Sequence, residues 1–179
     1  MKKTTLAVAV VSAFTLASAV QAQDYQMEAG FNYIDFDTDT AMGVDFTYHL
    51  DKVSTSGKPL AEAAFLGRNS NVGVNYLTTD KSDLDILSLG GEFWFDDIYA
   101  NVEVTDSDLG DELALKAGYM LKDGVLAYVG LSDEDGVDKN TYLAGIQYVA
   151  PMSGNYVALN GELLTNDGDN TIDLSADYY

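Results

Sequence analysis

Between Tyr25 and Tyr33 apolar and polar side chains take turns: Tyr25, Met27, Ala29, Phe31 and Tyr33 fall on one side, Gln26, Glu28, Gly30 and Asn32 on the other. Successive residues of a strand point to opposite faces, so the stretch predicts a strand with one apolar and one polar face. The pattern returns as Met42, Val44, Phe46, Tyr48 and Leu50 against Gly43, Asp45, Thr47 and His49, then as Val72, Val74 and Tyr76 against Gly73 and Asn75. Leu87, Leu89, Gly91, Phe93 and Phe95 oppose Ser88, Gly90, Glu92 and Trp94, and Ile98, Ala100, Val102 and Val104 oppose Tyr99, Asn101 and Glu103. The second half repeats it at Leu113 to Leu121, Val125 to Leu131, Tyr142 to Tyr148, Val157 to Leu163 and Ile172 to Tyr178. About ten strands follow, most of them joined as hairpins. Only "LAEAAFL", inside the long connection from Asp51 to Ser70, has the composition to coil, for about two helical turns.

Two architectures share this alternation: a soluble sandwich with the apolar faces inside, and a membrane barrel with them outside. Three features favour the barrel. Aromatics sit near strand ends on the apolar face, namely Tyr25, Tyr33, Tyr48, Tyr76, Phe93, Phe95, Tyr119, Tyr142, Tyr148 and Tyr178, where interfacial girdles belong. The centres of the same faces are often small, as at Ala29, Ala100, Ala117, Ala127 and Ala144, which suits fluid lipid and would underfill a packed core. Longer acidic connections ("TTDKSD", "TDSDLGDE", "SDEDGVDKN", "TNDGDN") alternate with short ones ("FDD", "KDG", "PMSGN"), as outer loops alternate with periplasmic turns. The expected fold is all-β, an antiparallel up-and-down transmembrane β-barrel over residues 23–179.

The first 22 residues stand apart. Lys2 and Lys3, an apolar run from Leu6 to Leu16, and small residues at Val20 and Ala22 read as a signal peptide cleaved after Ala22. Composition fits an exported β protein: 16 glycines, 2 prolines, 12 tyrosines and no cysteine, so no disulfide framework. Lys+Arg of 9 against Asp+Glu of 29 gives a net charge of −20, which excludes nucleic acid as a natural partner and favours cations.

Inward-facing candidates are Glu28, Asp45, Asp85, Glu92, Glu103, Glu162, Asp173 and Asp177, opposed chiefly by Lys116. Carboxylates lining a wet lumen raise the local cation concentration and predict a cation-preferring pore. The plainer alternative is that they hydrate a filled interior, since a barrel of about ten strands is only slightly wider than one that side chains fill. Tyr99, Tyr128 and Trp94 also point inward and are expected to fill space rather than bind sugar. "DEDGVD" and "NDGDN" hold oxygen donors without the spacing of a calcium loop and read as solvated loops. His49 is the sole histidine and reads as an interfacial polar residue near a strand end. With no nucleophile motif or metal-ligand cluster beside it, no enzyme activity and no cofactor are expected.

The leader followed by "YQMEAGFNYIDFD", and above all "PLAEAAFLGRNSNVGVNY" from Pro59 to Tyr76, resembles the general bacterial porin family of Gram-negative outer membranes. The resemblance covers most of the chain, with its specific part at Pro59 to Arg68. It implies an outer-membrane barrel passing small hydrophilic solutes, surrounded by outer-membrane lipid and lipopolysaccharide, inserted by the barrel assembly machinery, and open to homo-oligomerisation. It also implies that "PLAEAAFLGR" is a family feature of the second connection, without a stated role. "ADYY" continues in the family through a further hairpin, so the chain reads as a C-terminally shortened member. A closed small barrel with a structural or surface-interaction role is the alternative to a channel, and a soluble periplasmic sandwich is the third reading.

Overall fold

Each stretch of alternation becomes a strand, and each strand pairs antiparallel with the next. The computed structural model describes residues 24–35, 39–136, 140–167 and 169–179; residues 1–22, expected to be a signal peptide, lie outside them. The strands are β1 (Tyr25–Asp35), β2 (Thr40–Val53), β3 (Asn71–Thr79), β4 (Asp85–Phe95), β5 (Ile98–Ser107), β6 (Glu112–Lys122), β7 (Val125–Glu134), β8 (Thr141–Met152), β9 (Asn155–Asn166) and β10 (Asp169–Tyr178). They form one 10-stranded sheet in chain order. A single sheet has no second layer to pack on, which removes the sandwich.

With 9 to 14 residues apiece, the strands have the length that a tilted membrane strand needs. Their apolar faces are open to the surroundings: Phe31 is 60%, Leu89 55% and Val129 61% exposed. Such a continuous apolar belt is far larger than a soluble monomer presents, and it is what acyl chains cover.

The sheet curls with its polar face inward. Seven inter-strand steps separate β2 from β9, roughly 34 Å if the sheet were flat. Yet the Tyr156 hydroxyl of β9 donates to the Gly57 carbonyl at 2.6 Å. Gly57 lies only four positions beyond Val53, a reach of about 14 Å at most. Only strong curvature brings β9 that close. The curled sheet is open, with β1 and β10 as its two edges and no ladder between them among the described residues.

One end carries tight turns. Asp96–Asp97, Asp123–Gly124 and Ser153–Gly154 each join two strands, and Ser153 and Gly154 both take positive φ (54° and 91°), the geometry of a primed hairpin turn. At this turn end the β2–β3 connection folds as a short 3₁₀ turn (Leu60–Glu62) and helix α1 (Ala63–Gly67). A small core sits beneath it on the concave side: Tyr99, Met120, Leu126 and Tyr128 are buried, with Phe65, Trp94 and Leu143 packed against them.

Candidate functional site

The concave face gathers most of the expected interior carboxylates and divides them into two kinds. Glu28 of β1 lies 2.6 Å from Nε2 of His49, and Asp45 accepts from Asn32 at 3.2 Å. Glu92 accepts from Asn71 at 3.0 Å and from the Tyr99 hydroxyl at 2.8 Å. Glu162 of β9 accepts from Lys116 of β6 at 3.1 Å and from the Tyr128 hydroxyl of β7 at 2.6 Å. The Lys116 ammonium also stands 5.4 Å from the centre of the Tyr128 ring, a cation–π distance. To reach β9, Tyr128 crosses β8 at Gly145, where any side chain would fall inside its ring. That glycine serves close packing, not a special φ.

Glu103 and Asp173 are different. Both are exposed on the inner face, placed there by pairing with Gly90 and Glu162. Neither side chain has a hydrogen bond or ion pair among the described residues, so each stands on the concave face as an open charge. Lys116, the one lysine or arginine on the interior faces of the described strands, is already matched by Glu162.

Three residues sit elsewhere than the sequence led one to expect. Asp85 does not face inward. It pairs with Thr78, on the outer side with Tyr76, whose hydroxyl donates to it at 2.9 Å. Odd-numbered positions of β4 face out, and a strand-end aspartate can stay hydrated at the rim. Tyr25 does not join the outer aromatics, because a register shift between Tyr25 and Met27 turns it inward, edge-on to His49 at 5.5 Å. A bulge of this kind reverses facing within a strand. His49 is not interfacial: it is 1% exposed on the inner face.

The other aromatics lie on the outer face near strand ends. Tyr48, Phe93, Phe95, Tyr119, Tyr148 and Tyr178 gather toward the turn end, and Tyr33, Tyr76 and Tyr142 toward the loop end. Two belts separated by smaller aliphatic residues match the two interfaces of a bilayer.

At the loop end the connections are laced sideways. Asp39 accepts from the backbone of Thr40, Lys81 and Ser82 and from the Ser82 hydroxyl, which holds its carboxyl well below the usual range. Asp108 accepts from the Asp85 amide at 2.9 Å, and the Asp111 carbonyl from the Asp135 amide at 2.8 Å. The two calcium-like stretches lie partly outside the described residues.

The turn end is crossed by the β2–β3 connection. α1 ends at Arg68, whose left-handed backbone (φ 52°, ψ 45°) donates to Phe65 O in a helix-ending turn. Its guanidinium pairs with Asp97 at 3.0 Å and Asp123 at 2.9 Å, joining two separate turns. Phe65 meets Trp94 edge-on at 6.2 Å. Glu62 accepts from the Tyr179 hydroxyl at 3.0 Å and is also bonded to Gln147. Burial raises the Glu62 carboxyl above its usual range, with Asp177 adding to the rise and both hydrogen bonds opposing it. Burial first, and then the Glu62 charge, push the Tyr179 hydroxyl up to about 12. Pro59 to Arg68 is therefore a strap over one mouth of the curled sheet.

A curled up-and-down sheet with an apolar outside, aromatic belts and a charged inside is the architecture of an outer-membrane barrel. The model of the family described as "Putative general bacterial porin" matches residues 1–179. The chain belongs to this porin family. The solved outer membrane protein Omp33 of Acinetobacter baumannii is similar in structure, with a TM-score of 0.74 and 27% identity, the match covering 88% of this chain and 72% of that one. No curated protein matches. Family and neighbour together place the chain among outer-membrane β-barrel proteins.

Asn71, Asn160 and Gln147 take part in the interior network without having been singled out from sequence. Asn71 and Asn160 share the parity of Glu92 and Glu162, so alternation contained the signal. That Asn71 donates to Glu92, and that Asn160 accepts from the Tyr128 hydroxyl at 3.2 Å, required the cross-strand register.

Proposed function

We propose that this porin-family chain is an outer-membrane channel for passive diffusion of small hydrophilic solutes, that it prefers cations, and that it catalyses no reaction. The observation that carries the preference is the division of interior charge. Glu103 and Asp173 stand open, whereas Lys116 is neutralised by Glu162. A permeating ion thus meets net negative charge in a space walled by low-dielectric barrel, where such charge acts over distance. Glu28, Asp45 and Glu92 are engaged in local hydrogen bonds, so their charge is shared with protein donors and they serve chiefly to order the wall. The leader is removed after Ala22, the apolar belt lies in lipid beneath lipopolysaccharide, insertion uses the barrel assembly machinery, and association with further copies is compatible with the exposed outer face.

A second reading is favoured by the buried cluster of Tyr99, Met120, Leu126 and Tyr128 and by the strap above it. These fill part of the turn-end interior, as a non-conducting barrel with a structural or surface role requires. Planar-bilayer recording of the refolded chain in a potassium chloride gradient separates the two. Discrete steps with a reversal potential on the potassium side support the channel, and inserted protein without steps supports the filled barrel.

A further inference from the structure

We infer that residues 54–62 are an internal brace that sets how tightly the sheet curls. The other turn-end connections, Asp96–Asp97, Asp123–Gly124 and Ser153–Gly154, show that neighbouring strands need only two residues between them. The β2–β3 connection runs from 54 to 70, although β2 and β3 are adjacent and their pairing continues to the Leu50 amide and Ser70 carbonyl at 2.8 Å. The additional length is therefore not needed to join the strands. It goes across the mouth and back.

The outgoing arm makes its polar contacts on the far side of the curl. Gly57 O accepts from Tyr156 of β9 at 2.6 Å, and Glu62 accepts from Tyr179 just beyond β10 at 3.0 Å and bonds Gln147 of β8. The returning arm, through Phe65 and Arg68, contacts the β4–β5 and β6–β7 turns. One segment thus ties β2 to both the near and the far arcs. Because β1 and β10 are not laddered together, inter-strand hydrogen bonding does not by itself fix the span between the two arcs. A tether of four residues plus one tyrosine does, holding the span well below the roughly 34 Å of a flat sheet.

The test uses the absence of cysteine from the sequence. Spin labels are placed at Phe46→Cys on β2 and Leu159→Cys on β9, both on the outer face, and their distance distribution is measured by pulsed electron resonance in the chain refolded in detergent. A second pair, Leu89→Cys and Val129→Cys, reports the arc between β4 and β7, which the outgoing arm does not touch. The brace is then cut by Glu62→Ala with Tyr156→Phe, and in a separate variant by replacing residues 57–62 with a glycine–serine linker of equal length. The expected result in both is an outward shift of the first pair by about one inter-strand spacing, about 5 Å, with a broader distribution and no change in the second pair. No shift of the first pair in either variant overturns the brace, as does equal broadening of both pairs, which would mean a general loss of structure.

Discussion

Lys116→Met is the sharpest probe of the interior, because stability and selectivity move in a stated relation. The Lys116–Glu162 pair is 3.1 Å long, with side chains 30% and 18% exposed. At an effective dielectric constant of about 20, a unit pair at this distance attracts by roughly 5 kcal/mol before desolvation is subtracted. Dehydration of both groups and partial solvent access cancel most of this, leaving a net coupling of about 1–2 kcal/mol. The variant should unfold with a free energy lower by that amount, read in denaturant titrations from the single tryptophan, Trp94, which lies in the adjoining cluster. The Tyr128 hydroxyl still donates to Glu162, so the carboxylate stays in place with its charge uncompensated. Cation preference should therefore rise and move the reversal potential further to the potassium side. Glu162→Gln should shift it the opposite way, and the double variant should return close to the parent while costing less stability than the two single changes added. A Lys116→Met protein with parental stability and parental reversal potential, or one shifted toward anions, refutes the reasoning.

Glu103→Gln should reduce cation preference with a stability change within about 0.5 kcal/mol, whereas Glu92→Gln, by disturbing the bonds to Asn71 and Tyr99, should cost roughly 1–2 kcal/mol and alter selectivity less; paired unfolding and reversal-potential measurements check both. Asp39, whose folded-state carboxyl is held low by Ser82 and the Lys81 amide, stabilises the lacing of its loop at any pH above its unfolded-state value of about 3.9, and loses that effect only as the pH falls through the lower folded value. Hydrogen exchange at the Lys81 and Ser82 amides should accordingly be unchanged between neutral pH and about pH 5 once corrected for intrinsic rates, and Asp39→Ala should abolish the protection. At Arg68, alanine removes two partly exposed ion pairs and keeps the left-handed backbone, costing about 1 kcal/mol, while glycine removes the same pairs and relieves roughly that much strain. Thermal unfolding should rank Arg68→Gly above Arg68→Ala, and the reverse order would contradict the assigned role of φ.

Alternation made the strands legible because a membrane barrel has one side chain in two facing lipid, with no third environment to blur the period. Loop and turn alternation was legible for the same reason, each strand reversing the direction of the chain. The facing of Tyr25 was not, since a bulge leaves no mark on a run such as "YQM" beyond the residues themselves. Asp85 was misplaced by charge alone, when its parity with Leu87 already put it outside. The division between engaged and open carboxylates was hidden from any one-strand reading. Lys116 reaches Glu162 from three strands away, and Tyr128 does so only where Gly145 leaves room. Those contacts come from curvature, and curvature is a property of the whole sheet. The strap was visible as unexplained length, but its seat depends on partners that lie as far as 117 residues further along the chain.

The most direct test of the account is the reversal potential of the refolded protein in a planar bilayer under a potassium chloride gradient, compared between the parent chain and a Glu103→Gln, Asp173→Asn double variant. The account predicts discrete conductance steps with potassium preferred in the parent and a clear loss of that preference in the variant. Steps with unaltered selectivity in the variant, or folded and inserted protein that never conducts, would contradict it.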